Sequence, residues 1–102
     1  MEKNRAEAAS FNLLSIYNAE KRFKLDDDTN QYFACGSPCN ITTLNNNLST
    51  YINDNNFTYS IVLDAVEGFR ATATRAGGNL CNGSVMTITG TNSEVTKGCS
   101  VW

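Results

Sequence analysis

The first 25 residues of the chain constrain its fold more than any other stretch. They contain no Gly or Pro and are rich in residues that favour helices. The stretch therefore predicts one uninterrupted α-helix over residues 1–25. At 1.5 Å per residue such a helix is roughly 36 Å long, which is long for a domain of this size.

The apolar residues of this helix form an unusually wide face. A helix that lies on one sheet needs an apolar stripe only about 100° wide. At about 100° per residue, the apolar face here covers more than half of the circumference. We infer that the helix packs on two surfaces, its own sheet and a partner; the alternative is a ragged apolar face in a monomer. The face comprises Ala6, Ala9, Leu13, Ile16, Tyr17 and Phe23, with Leu14 and Leu25 at its edge.

Length and composition narrow the possible functions. The 102 residues suffice for one domain with one core. The chain has no His, so the most common general base and zinc ligand is missing, and no glycine pattern matches a phosphate-binding loop. We therefore predict no enzymatic activity and no cofactor. The net charge of −2, without a basic cluster, argues against nucleic acid as a partner.

Four cysteines, Cys35, Cys39, Cys81 and Cys99, indicate two disulfides and an oxidising compartment. The alternative is a zinc site of four thiolates, but such sites use closely spaced pairs, and only Cys35 and Cys39 are close. We favour the pairs Cys35 with Cys39 and Cys81 with Cys99, because the second bond would tie the carboxyl-terminal tail to the sheet. Crossed pairings remain open.

A loop with a short second helix is predicted over residues 26–56. Residues 32–43 have the composition of an irregular connector. The second helix is expected at about residues 43–53, where Leu44, Leu48, Tyr51 and Ile52 recur at helical spacing.

Alternating apolar and polar residues predict three strands within residues 57–90. Met86 and Ile88 are the expected core residues of the third strand, and residues 77–79 open the loop before it. Short connections favour an antiparallel meander. The tail, residues 91–102, shows no clear period. The predicted class is α+β: one domain over residues 1–102, with a long helix packed on a small three-stranded antiparallel sheet.

The run AEAASFNLLSIYNAEKRFKLDDDTNQYFAC resembles the second half of the amino-terminal helix, and the start of the following loop, in type IV pilins and type II secretion pseudopilins. Members of that family often show Glu-Ala-x-x-x-Asn-Leu-x-x-Ile-Tyr-x-Ala-Glu-Lys-Arg-Tyr here. The segments FTYSI (57–61) and GFRATATR (68–75) are similar to strands of the smaller pilin-like proteins. The matching residues of the helix are Glu7-Ala8, Asn12-Leu13, Ile16-Tyr17 and Ala19-Glu20-Lys21-Arg22-Phe23.

The resemblance implies a pilin-like fold and a structural subunit of a type IV pilus or pilus-like filament that assembles through its first helix. The implied partners are other pilin subunits, with minor pilins or the assembly platform as further possibilities. The implied location is the cell surface, after a stage in the inner membrane. The family's apolar first half of the helix has no counterpart in this sequence. We therefore expect the chain to be a soluble headgroup and the apolar half to precede Met1 in the gene.

The resemblance also bears on the cysteines and on the subgroup. Cys81 and Cys99 resemble the disulfide that closes the carboxyl-terminal loop of many pilins. Major secretion pseudopilins often bind calcium in that loop, but the matching residues 91–97 offer Glu94 as their only carboxylate. Calcium and that subgroup are therefore disfavoured. The alternative function is a minor pilin or pseudopilin that acts as a binding module at a filament tip or in a secretion system.

Overall fold

The computed structural model describes residues 2–77 and 80–102, with the backbone alone at Ser37 and Pro38. The elements in chain order are α1 (Glu2–Asp26), β1 (Cys35–Cys39), α2 (Ile41–Leu48), β2 (Phe57–Asp64), β3 (Gly68–Arg75), β4 (Val85–Thr89) and β5 (Asn92–Lys97). The α+β class, with its long first helix and short second helix, is confirmed. Met1 of the predicted helix, and residues 78 and 79 of the predicted loop, lie outside the described residues.

The sheet has five antiparallel strands in the order β1-β2-β3-β4-β5, so the prediction of three strands was wrong. The additional strands are the two edges. β1 lies in the supposed irregular connector, with Cys35 opposite Ile61 and a break in register before Cys39. β5 lies in the supposedly unstructured tail, and only Val95 of this strand is partly buried. Each of these edge strands buries few of its described side chains, so it lacks the apolar alternation that marks a strand in a sequence.

α2 begins and ends earlier than residues 43–53, because asparagines set both of its ends. The Asn40 side chain caps the helix. Its oxygen accepts hydrogen bonds from the backbone N–H groups of Thr42 and Thr43, at 2.9 and 3.3 Å. Ser49 ends it in a left-handed conformation, with φ of 57°. Tyr51 and Ile52 therefore lie after the helix and not on it. Ile52 is buried, whereas Tyr51 is exposed.

The core lies between α1 and the inner face of the sheet. β3 contributes Ala71 and Ala73, whose small side chains let the helix approach its backbone closely. Met86 and Ile88 of β4 are buried, as their alternation suggested. The helix contributes Ala6, Ala9, Leu13, Ile16 and Ala19 to this core, and β2 and β3 contribute Phe57, Tyr59, Ile61 and Phe69.

A buried arginine ties the start of α1 to the sheet and the tail. Arg75 is 3 % exposed, and its Nε and Nη2 donate to the Glu2 carboxylate at 2.8 and 3.2 Å. Its Nη1 donates to the carbonyls of Asn56 and Ala76. The Trp102 indole also donates to Glu2, at 3.1 Å. The hydrogen bonds from Arg75 and then from Trp102 lower the pKa of Glu2, so this carboxylate stays charged.

The cysteines form the two favoured disulfides, with Cα–Cα distances of 5.3 Å for Cys35–Cys39 and 5.9 Å for Cys81–Cys99. Within the described residues no cysteine is left free for a thiolate zinc site. Two disulfides in a domain of this size indicate an oxidising, extracellular environment.

We expect the two disulfides to differ in their contribution to stability. Cys81–Cys99 spans 18 residues and Cys35–Cys39 only 4. The loop-entropy relation therefore gives a loss of about 3 kcal/mol for C81S/C99S and about 2 kcal/mol for C35S/C39S. Urea unfolding followed by circular dichroism measures both losses. A larger loss for C35S/C39S would contradict this ordering.

Candidate assembly surface

Seven of the eight residues of the predicted apolar face lie on the inner side of α1 or at its flanks, and the eighth, Leu25, is exposed. Four of them are at most 1 % exposed at the helix–sheet interface: Ala6, Ala9, Leu13 and Ile16. The other three, Leu14, Tyr17 and Phe23, are half-buried against the edge of the core. The Tyr17 ring lies 6.2 Å from that of Phe69, and Phe23 meets Phe33 edge-on at 5.7 Å. The extra width of the apolar face is thus largely covered by the domain itself.

The outer side of α1 carries a second set of residues, of which the sequence analysis named only Leu25, at the edge of the apolar face. Asn4, Phe11, Asn18 and Leu25 follow one another at seven-residue intervals, and all four are exposed. We call these residues the heptad stripe. Phe11 is 71 % exposed and Leu25 82 %. Seven residues make almost two helical turns, so the stripe runs along one side of the helix for about 31 Å.

Two small residues lie beside Phe11 of the heptad stripe. Ala8 and Ser15 lie one turn from Phe11 on either side, and neither is large enough to cover its ring. The outer side of α1 therefore has a bulky apolar side chain next to shallow neighbours. Such a knob-and-hole surface suits close packing against another helix.

The motif residues Glu20 and Lys21 attach the end of α1 to the rest of the domain. Glu20 is fully buried, and its Oε1 accepts the backbone N–H of Phe33 at 2.7 Å. Lys21 donates to the Tyr32 hydroxyl and to the Gly90 carbonyl. These contacts hold the loop after α1, and the turn between β4 and β5, against the helix.

The environment of Glu20 is electrostatically unfavourable for a charge. Its second oxygen, Oε2, has no hydrogen-bond partner among the described residues. Burial raises the pKa of Glu20 to about 7, and the Phe33 N–H offsets this only in part. Near neutral pH the side chain is therefore in equilibrium between the acid and the carboxylate.

We expect Glu20 to make stability depend on pH. Because the pKa of Glu20 is higher in the folded protein, the folded state binds more protons between about pH 4.5 and 7. Its stabilising contribution is thus complete below this window and is lost as the pH rises through 7, a change of about 2 to 3 kcal/mol. The variant E20Q should lose this dependence of stability on pH. The control variant E7Q, at an exposed site on the same helix, should retain it.

Urea unfolding at pH 5, 6, 7 and 8 measures this dependence. The pKa values of Glu2, Asp27 and Asp64 are lowered, so those groups titrate below the window. An equal fall in stability for E20Q would show that another group is responsible.

No other chemistry is evident in the part of the chain that the structure describes. Over residues 2–77 and 80–102, no group of three His, Cys, Asp or Glu side chains is placed to hold a metal ion. No helix within those residues combines the length and apolar character that crossing a membrane requires.

Comparison with known proteins gives no neighbour to guide the interpretation. No protein-family model, no curated protein and no solved structure matches the chain. The resemblance to pilins therefore depends on the residues of the chain itself, above all those of α1.

Proposed function

We propose that the chain is a structural subunit of a type IV pilus or a pilus-like filament on the cell surface, assembling through α1. The observation that carries this proposal is the heptad stripe, with Phe11 and Leu25 exposed on a helix whose inner side is already packed. A helix that serves only its own domain gains nothing from these side chains. Burial against a neighbouring helix would recover about 1.5 to 3 kcal/mol for each of them.

The attachment of α1 to the sheet supports the same function. A filament that is held together by its helices must transmit force from each helix to its headgroup. α1 is bound near its start through Glu2 and Arg75 and near its end through Glu20 and Lys21. These contacts attach the helix to the headgroup at both ends, as a subunit that transmits force requires.

The residues shared with the pilin family give further support. Glu20 and Lys21 belong to the part of the sequence that resembles pilins, and they join the helix to the loop that follows it.

A second candidate function is a minor pilin or pseudopilin that binds a partner at a filament tip or in a secretion system. The β2–β3 hairpin favours it, because Val62, Leu63 and Val66 are 48, 51 and 86 % exposed there. These exposed side chains lie outside α1 and would offer an apolar contact separate from the heptad stripe.

We expect the double variant F11E/L25E to fold normally and to assemble poorly. Both side chains are exposed, so the stability of the isolated domain should change by less than about 0.5 kcal/mol. A carboxylate buried between helices is strongly unfavourable, so filaments on the cell surface should fall about tenfold or more. The matched control is V66E, an equally exposed apolar residue on the β2–β3 hairpin.

Electron microscopy of host cells that carry each variant in place of the native gene counts the filaments. Normal filaments with F11E/L25E would contradict assembly through the heptad stripe. Loss of secretion or binding with V66E, with filaments intact, would favour the minor-subunit function.

The gene upstream of Met1 provides an independent test. Membership in a pilin-like family predicts a short basic leader and about 20 apolar residues directly before this segment. A coding sequence without such an apolar stretch would argue against the proposed function.

A further inference from the structure

We propose that the cleft between α1 and residues 49–52 binds an acidic oligosaccharide, a sugar chain that carries uronate carboxylates. The cleft has a volume of about 400 Å³ and is open along one side of the helix. Phe11 and Tyr51 form its two rims, Asn12 and Ser15 contribute to its polar lining, and Arg22 supplies its charge. This binding function is additional to assembly. Phe11 and Asn18 belong both to this cleft and to the heptad stripe, so the cleft is accessible on a chain whose stripe is not packed against a neighbour.

Tyr51 is the first reason to regard the cleft as a binding site. Its side chain is 97 % exposed, so it contributes almost nothing to the core. The turn that carries it is nevertheless rigid. Asn45 donates to the Ile52 carbonyl at 2.9 Å and accepts from the Thr50 hydroxyl at 2.7 Å and the Ile52 N–H at 3.0 Å. An aromatic ring held in water by a fixed turn is preorganised for a ligand.

The polar lining of the cleft is also fixed in place. The Asn12 amide donates to the Tyr59 hydroxyl at 3.0 Å, and that hydroxyl donates to Asp54 at 2.7 Å. This chain of hydrogen bonds sets the orientation of the Asn12 side chain. A ligand that bonds to Asn12 therefore does not have to order it first.

The composition of the cleft matches a sugar better than an apolar partner. A sugar ring presents C–H groups on its faces and hydroxyl groups around its edge. The rings of Phe11 and Tyr51 can stack on such faces, while amide and hydroxyl side chains between them can bond to the edge. An apolar helix would instead leave these polar groups without partners, which costs binding energy.

The charge of the cleft selects an acidic sugar. Arg22 is the one charged residue among those that line it, and they include no carboxylate. Arg22 is exposed and forms no ion pair with any described residue. A guanidinium group binds a carboxylate through two parallel hydrogen bonds, so a uronate group is the matching ligand.

An NMR titration tests the proposal. Hexagalacturonate is added to the isotope-labelled chain, and the amide chemical shifts are recorded at each step. We expect saturable shifts in residues 11–22 and 49–52, with a dissociation constant of about 1 mM or below. Maltohexaose, a neutral sugar of the same length, should bind about tenfold more weakly. Hexaglutamate, a polyanion without sugar rings, should give no saturable shifts in these residues.

Two variants assign the contacts. Y51A and R22Q change exposed side chains, so both variants should fold as the native chain does. Each should weaken the binding of hexagalacturonate about tenfold. The matched control for R22Q is R5Q, which removes another exposed arginine of α1, outside the cleft, and should leave binding unchanged.

Four results would overturn the assignment. Shifts outside the cleft, or none that saturate, would exclude it as the site. Equal binding of hexaglutamate would show attraction by charge alone, and equal binding of maltohexaose would remove the selection by Arg22. Shifts at the cleft that depend on protein concentration without sugar would show that it is a contact between copies of the chain.

Discussion

The close contact between α1 and the middle of the sheet is the interaction on which the rest of the structure depends. Both elements contribute buried alanines to this core, Ala6 and Ala9 from the helix and Ala71 and Ala73 from β3. Their short side chains bring the helix backbone near the strands, and Leu13 and Ile16 fill the space on either side. Since the inner side of the helix is fully used in this way, any partner has to meet its outer side.

Contacts at both ends prevent the helix from moving relative to the sheet. Near the start, Arg75 joins Glu2 to β3, and near the end Glu20 and Lys21 join the helix to the loop and to the turn after β4. The contact at Glu20 has an electrostatic cost, because an acidic group is buried with one oxygen unpaired. This unfavourable burial occurs at the hydrogen bond that joins the helix to the loop.

Much of the fold could be read from the sequence, since α1 and the inner strands have regular apolar spacing. The edge strands could not, because β1 has few side chains to bury and β5 is nearly all exposed. The end of α2 was misplaced because Asn45 bonds to the turn that follows instead of supporting another turn of helix. Apolar spacing identified the inner face of α1 and placed Leu25 at its edge, although Leu25 is exposed. It did not identify Phe11, which stands alone on the outer side of the helix.

The short and irregular edge strands reduce the risk of aggregation when molecules lie side by side at high concentration. An open edge of a sheet can pair with the edge of a neighbour and begin an uncontrolled aggregate. β1 is short, contains a proline that has no amide hydrogen to share, and loses register between its cysteines. β5 carries Glu94 and Lys97 and is also irregular in its pairing. Copies of the chain at high concentration are thereby discouraged from joining sheet to sheet.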